Sequence, residues 1–330
     1  MRSIAIGLGL RSCAFIAIAI AAMSGGAFAQ PYPVKPIRLI VPLAAGSTAD
    51  IGSRFVAQEL SKVLGQPVVV ENKPGAGGTI GTSELARAAP DGYTIGFASQ
   101  GTLVFNQGIY GRPGYDSRKD FAPIALFARA ATVLIVHPAN AATIPAELVA
   151  AAKNRPGRST FASGGSGTSH HLAGVLFGRA TGTDLVHVPY TSAPRGVLAV
   201  MAKEVTMGFF NVPMVIGAIR DGRLKALGVT SLRRSPAMPQ VPTLDEQGIK
   251  GFEVDTWAGF VAPAGTDPKI VERLHGELSR ILAALDTRDK LGLQGFELAT
   301  PMQPDEFAAL IAADLNRWLP IVRASGAKPD

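Results

Sequence analysis

Cysteine is almost absent: Cys13 is the single one in 330 residues. Whatever compartment the protein occupies, disulfides contribute nothing to its stability, which must come from buried apolar cores. Long runs of lysine or arginine are also missing, and aromatic side chains do not interleave with basic ones. The formal charge of +7 is spread along the chain, which suits a mild preference for anions and argues against a nucleic-acid groove. Two motifs stop short. Gly164-Gly165-Ser166-Gly167-Thr168 lacks the last glycine of a hydrolase nucleophile elbow. Gly75-Ala76-Gly77-Gly78 is only part of a dinucleotide fingerprint, since Ile80 stands where the third glycine belongs. That stretch reads instead as a turn starting a helix packed closely on a sheet.

The N-terminus has the marks of a secretory signal peptide. Arg2 and Arg11 supply charge, Cys13 to Met23 is nearly all apolar, and Ala27-Phe28-Ala29 forms an A-x-A site. The apolar run is short for a membrane span. Cys13 lies before that run rather than after it, so a lipid anchor is rejected. Residues 1–29 are expected to be removed, leaving a protein that starts at Gln30 in the periplasm.

From Ile37 short apolar strands alternate with amphipathic helices, a βαβαβ order that predicts an α/β fold with a parallel, doubly wound sheet and ligand-facing loops at the strands' carboxyl ends. Strands are expected at Ile37–Val41, 68–70 and 93–98, with helices over 50–64 and 80–89. The apolar stretch from Ala122 to Pro138 is expected to leave a first domain and enter a second, where β/α alternation restarts. Residues 231–252 read as a proline-rich surface loop, and 256–263 as a return strand. Two helices close the chain, one capped by Thr266 with Pro268 in its first turn, the other over 304–322. The division is 30–130 with 253–330 as domain 1, and 131–252 as domain 2.

Two glycine- and hydroxyl-rich turns stand out. Ser163, Gly165, Ser166, Gly167, Thr168 and Ser169 follow a strand and open a helix; Ala45, Gly46, Ser47, Thr48 and Asp50 follow the strand Ile37–Val41. Such helix N-termini present unpaired amides and partial positive charge, which suits an anion. Ser99, Gln100, Tyr190, Thr191, Phe210 and Asn211 fall near further strand ends and complete the expected ligand-binding set. Asp50 is expected mainly to stabilise its helix turn, and Trp257 to pack at a crossover. His170 and His171, being adjacent, are expected to pack at the helix start rather than bind metal, and His187 to be a core residue. Arg195 is the nearest candidate cation. No catalytic residue, metal or cofactor is expected.

The ordered set Val41-Pro42…Gly46…Asp50, Glu71-Asn72-Lys73-Pro74-Gly75-Ala76-Gly77-Gly78, Ser163-Gly164…His171-Leu172, Val188-Pro189-Tyr190, Arg234-Ser235-Pro236-Ala237-Met238-Pro239…Val241-Pro242-Thr243…Glu246…Gly248 and Trp257-Ala258-Gly259 resembles the Bug-type extracytoplasmic solute-binding proteins of tripartite tricarboxylate transporters. The resemblance runs from about Tyr32 to the C-terminus. It implies a two-domain periplasmic-binding-protein fold (type II-like), its cleft between domains joined by two crossover strands. It also implies capture of a small carboxylate, without a cofactor, for delivery to membrane transporter subunits. Ala45 to Thr48 and Ser163 to Ser169 would hold the carboxylate. Three positions depart from the family pattern: Ala44-Ala45-Gly46 replaces Pro-Gly-Gly, Thr191-Ser192 replaces Lys-Gly, and Lys203-Glu204-Val205-Thr206 replaces Gly-x-Val-Asp. With that lysine gone, the expected ligand is an aromatic or short aliphatic acid, with a di- or tricarboxylate possible, and the expected state a monomer. The competing reading is an extracytoplasmic hydrolase or lyase using Ser166 or a histidine; no carboxylate–histidine–serine pattern supports it.

Overall fold

Strand β1 (Ile37–Val41) is buried along nearly its whole length and pairs in parallel with β2 (Val68–Asn72) on one side and β3 (Thr94–Ser99) on the other. The computed structural model describes residues 32–329; the expected signal peptide lies outside them. Ten strands follow the order β2-β1-β3-β9-β4-β7-β5-β6, with β8 (Lys225–Val229) and β10 (Glu297–Leu298) added on β4. The remaining strands are β4 (Phe121–Val136), β5 (Ser159–Ser163), β6 (Leu185–Pro189), β7 (Met207–Asn211) and β9 (Asp255–Pro263). The chain forms one compact unit from Lys35 onward.

The sheet is mixed rather than wholly parallel. Strand β9 runs antiparallel between β3 and β4, because it returns from the far end of the fold after the 231–252 loop instead of arriving through a βαβ crossover. The sixteen-residue β4 does two jobs. Its first part, to Ala131, pairs with β9, and from Thr132 it pairs with β7 and β8. One strand therefore belongs to two sheet segments, β2-β1-β3-β9 and β7-β5-β6.

Helices cover both segments: α1 (Thr48–Leu64), α2 (Thr79–Ala86), the short α3 (Asn106–Ile109), α4 (Pro145–Asn154), α5 (Ser169–Thr181), α6 (Ala193–Met201), α7 (Val212–Arg220), α8 (Pro268–Ala283), α9 (Leu285–Leu293) and α10 (Pro304–Ser325). The α8 stripe Leu274, Leu278, Ile281 and Leu282 is buried, as its spacing requires. Its cap is Asp267, whose side chain accepts from the Lys269 amide; Thr266 instead donates its hydroxyl to the Pro263 carbonyl at 2.8 Å. That hydroxyl is satisfied within the turn and is not free to cap. Helix α9 and strand β10 had no visible pattern. Leu285 and Leu293 are exposed, so α9 lacks an apolar stripe.

One core gathers Phe105, Trp257, Phe307, Leu315 and Trp318 against the first segment. Two others lie on the faces of the second, around Phe210 and Val215 and around Phe161, Phe177 and Phe209. Each large aromatic buried this way contributes roughly 1.5–3 kcal/mol relative to exposure. Asp314 of α10 ties the first core to β9 and to the turn after β3. Its Oδ2 accepts the Trp257 indole N–H at 2.6 Å and the Gln100 amide at 2.7 Å.

At the start of β9, burial pushes the Asp255 carboxyl up to about 6, against the pull of Arg129; Glu297 and Glu253 add to the rise. A carboxyl whose folded pKa exceeds its unfolded value costs stability above the folded pKa, and the cost fades as pH falls toward the ordinary carboxylate range. Asp255→Asn is expected to raise stability by about 1–3 kcal/mol at pH 8 and by roughly a third of that at pH 4.5. Urea unfolding at the two pH values measures it; equal effects at both would reject the assignment.

Candidate functional site

A cavity of about 310 Å³ takes its lining from the carboxyl ends of six strands. Leu43, Ala44, Ser47 and Thr48 follow β1; Pro74 to Gly78 follow β2; Ser99, Gly101 and Thr102 follow β3. From the second segment come Gly164, Gly165, Thr168, Ser169 and His170 after β5, Tyr190 to Ala193 after β6, and Asn211 and Met214 after β7. Phe97, Ala130, Thr256, Trp257 and Ala258 supply wall from β3, β4 and β9. Both segments carry their strands' carboxyl ends to this one place, where open α/β sheets place ligands.

Four of the helices that begin at the cavity are α1, α5, α6 and α7; α2 also opens there, from Gly78. Ser47 caps α1 by accepting from the Asp50 amide at 3.3 Å, and Thr168 caps α5 by accepting from His171 at 3.4 Å. Ser192 caps α6 by accepting from Arg195 at 3.4 Å. Asn211 stands at the same position of α7 yet makes no capping bond. Among the described lining residues there is no lysine, arginine, aspartate or glutamate. Positive potential at this cavity therefore comes from helix ends and backbone amides, not from side-chain cations.

The two turns reach these positions by different means. Asp50 holds the first. Its carboxylate accepts from the Gly46 amide at 3.0 Å, Arg54 Nε at 3.0 Å and Asn72 Nδ2 at 2.9 Å, while Asn72 also donates to the Leu43 carbonyl. Burial would raise the Asp50 pKa, but these donors together outweigh it and hold the carboxyl below its ordinary value. In the second turn Gly165 and Gly167 adopt φ of +110° and +88°, a region open to glycine and strained for other residues. Ser163 closes the turn, exchanging hydrogen bonds with Gly165 and lying 2.7 Å from His187 Nε2. The His187 ring in turn stacks on His171, centroids 3.9 Å apart.

Of the residues expected from sequence, Ser47, Thr48, Ser99, Gly165 and Thr168 line the cavity, as do Ser169, Tyr190, Thr191 and Asn211. Others support it from behind. Ala45, Gly46 and Asp50 shape the first turn, and Ser163, Ser166 and Gly167 shape the second, but none of the six reaches the lining. Gln100 is turned away to Asp314. Phe210 is wholly buried, its ring 4.9 Å from His170 in the core beneath the cavity. Arg195 is exposed and is not a lining residue, so it does not supply the cation considered for a distal group. His171 packs at the helix start, stacked on His187, whereas His170 also reaches the cavity lining. Among the described residues no group of three or more His, Cys, Asp and Glu could hold a metal.

Several lining residues escaped the sequence reading. Gly75 to Gly78 sit at the end of β2 and could have been found by the strand-end rule that identified the other loops. Ser192 and Met214 lie one and three positions beyond residues already chosen for that reason. Thr256, Trp257 and Ala258 come from the antiparallel β9, for which that rule offers no signal. His170 is also a lining residue. Burial drives its pKa down to about 4, only partly opposed by its hydrogen bond to Asn211, so the ring is neutral near pH 7. Its Nε2 lies 3.0 Å from Asn211 Oδ1, and its Nδ1 is buried without a partner, as is the Thr48 hydroxyl.

Comparison with known proteins adds to this geometry. Residues 53–327 match the family described as tripartite tricarboxylate transporter family receptor. Protein BugT of Bordetella pertussis is 35% identical over 316 residues, covering 95% of this chain and 96% of its own length. Among solved structures, the periplasmic binding protein BugD superposes with a TM-score of 0.86 at 33% identity, over 91% of this chain and all of its own. MatC from Rhodopseudomonas palustris with bound malate gives 0.84 at 30% identity, over 88% of this chain and all of its own. A further R. palustris protein, solved with adipate, gives 0.87 at 29% identity, over 91% and 100%. Both the fold and the expected kinship are thereby established: the chain belongs to the tripartite tricarboxylate transporter receptor family.

Proposed function

We propose that the protein captures a small organic carboxylate in the periplasm and presents it to a membrane transporter, binding its ligand without turning it over. The observation that carries this reading is the meeting of four helix N-termini around a cavity without a charged lining side chain. Such a site favours an anion that its amides and hydroxyls can surround. Trp257, Phe97 and Met214 provide apolar wall for the ligand's carbon skeleton. The neighbours solved with adipate and malate support the ligand class, each being a dicarboxylate.

Loss of the family's lysine does not confine the ligand to one carboxylate. Helix ends lie in both halves of the lining, that of α1 in one and those of α5, α6 and α7 in the other, in place of a cation, so a dicarboxylate has a station at either end. Ser163 and His187 form a close pair, but the serine is wholly buried and outside the cavity lining, which supports binding over hydrolysis. Export through residues 1–29, the division at 130 and 253 into two closing lobes, and action as a monomer complete the proposal.

A thermal-shift screen of mono-, di- and tricarboxylates, aromatic acids, sugars and amines tests the reading. A ligand present at a hundred times its dissociation constant stabilises by about 2.7 kcal/mol, which a melting curve resolves readily. Stabilisation by a carboxylate, with the acid recovered unchanged after incubation, is the expected result. A shift with a sugar or an amine and with no acid would overturn it.

A further inference from the structure

Beside the cavity the two sheet segments approach each other closely, through glycines. A Cβ on Gly77 would overlap the Ser166 carbonyl oxygen, and one on Gly101 would lie 3.7 Å from the Ser169 amide nitrogen. Into this seam the first segment sends a tyrosine. Tyr110, the residue that ends α3, packs its ring on the first core and on Gly167, where a Cβ would come within 2.9 Å of its Cε2. Its hydroxyl donates to the Ser166 carbonyl at 3.1 Å. Tyr110 does not line the cavity, yet the turn it holds carries the lining residues Gly165, Thr168 and Ser169. Within that turn the Gly165 carbonyl accepts from the hydroxyls of Ser163 and Thr168, whereas the Ser166 carbonyl takes its bond from across the seam.

Two further hydrogen bonds join the segments, both remote from the cavity. Arg179 near the end of α5 donates to the Ala324 carbonyl, and Arg220 at the end of α7 donates to the Leu293 carbonyl. Both helices begin at the cavity, so at 1.5 Å per residue these arginines sit about 15 and 12 Å along them. Parting the two turns by about 1 Å is enough to break the Tyr110 bond. Resting on the carboxylate capture and closing lobes proposed above, we propose that Tyr110 is a positioning residue for ligand retention: its hydroxyl holds the turn after β5 against the first segment once the ligand is enclosed. An enclosed ligand leaves only after the turns separate, so a bond broken by that separation slows release and leaves capture unchanged.

Tyr110→Phe keeps the ring and removes only the hydroxyl. Stopped-flow fluorescence of Trp257, a lining residue, measures both rates with adipate, malate and benzoate as probes. Dissociation should rise about three- to thirtyfold, as for a hydrogen bond whose loss strands a buried carbonyl, with association within about twofold of wild type. Arg179→Met cuts the bond far along α5 and should leave both rates within about twofold. A rise of less than about threefold in Tyr110→Phe would overturn the inference, as would an equal rise in Arg179→Met. So would association slowed beyond about twofold in Tyr110→Phe, which marks a turn misplaced before the ligand arrives. Each of these results leaves the carboxylate function standing. Failure of all three acids to bind wild type would overturn both readings.

Discussion

Gly77→Ala is expected to weaken ligand binding about a hundredfold. Gly77 adopts φ of +59°, and a Cβ there would overlap the Ser166 carbonyl oxygen and come within 3.3 Å of the Gly167 Cα. The obstacles are backbone atoms, so no rotamer change relieves them. Positive φ costs an alanine about 1–2 kcal/mol, and forced overpacking adds about 1–3 kcal/mol. The loop after β2 must then separate from the turn after β5. That contact is otherwise pinned by Asn106, which donates to the Gly77 carbonyl at 2.9 Å, and by Tyr110, whose hydroxyl donates to the Ser166 carbonyl at 3.1 Å. Because both loops line the cavity or back its lining, a loss near 3 kcal/mol appears as roughly two orders of magnitude in affinity. Gly65→Ala is the control. Gly65 has φ of +67° but open surroundings, so it should lose about 1 kcal/mol of stability and keep its affinity. Equal affinities for Gly77→Ala and wild type would show that the two loops need not meet for binding.

Removing the Asp314 carboxylate should be the most destabilising single change to a polar group. Asp314→Ala strands the Trp257 indole N–H and the Gln100 amide, both buried. Hydrogen bonds to a charged acceptor are worth about 1.5–3 kcal/mol each, so the expected loss is about 3–5 kcal/mol. For a chain of this size that is roughly a 5–8 °C fall in melting temperature. Asp314→Asn keeps an acceptor oxygen and should recover about half. Since Trp257 lines the cavity, affinity should fall with stability in the alanine variant. A melting temperature within 2 °C of wild type would show that these donors find other partners.

Much of the fold is visible in the sequence because local pattern and tertiary role agree. Strands such as Ile37–Val41 are apolar but for Arg38 and largely buried, and glycines close the helices α1 and α5 in the left-handed conformation. What hid was nonlocal. The antiparallel insertion of β9 follows from where the chain returns, which no local periodicity records. Helix α9, without an apolar stripe, offered nothing to read. The same divide runs through the site. Strand-end loops gave Ser47, Thr48, Thr168, Ser169 and Asn211. Whether a neighbouring side chain faces the cavity or the core depends on partners far along the chain: Asp314 draws Gln100 inward across 214 positions. His170 looked like packing for the same reason, since its partner Asn211 is 41 residues away.

A cavity whose lining holds no lysine, arginine, aspartate or glutamate among the described residues has a consequence for the medium in which the protein works. Forces between exposed mobile charges fade over about 8 Å at physiological ionic strength, so receptors that gather ligand through cationic side chains lose reach in brine. Amide dipoles at helix ends act within the first turn and only on a ligand already seated. Recognition here is short-ranged and nearly indifferent to dissolved salt. In the periplasm proposed above, whose small-ion content follows the medium outside the cell, dilution or concentration of salt would leave the grip on the ligand much the same.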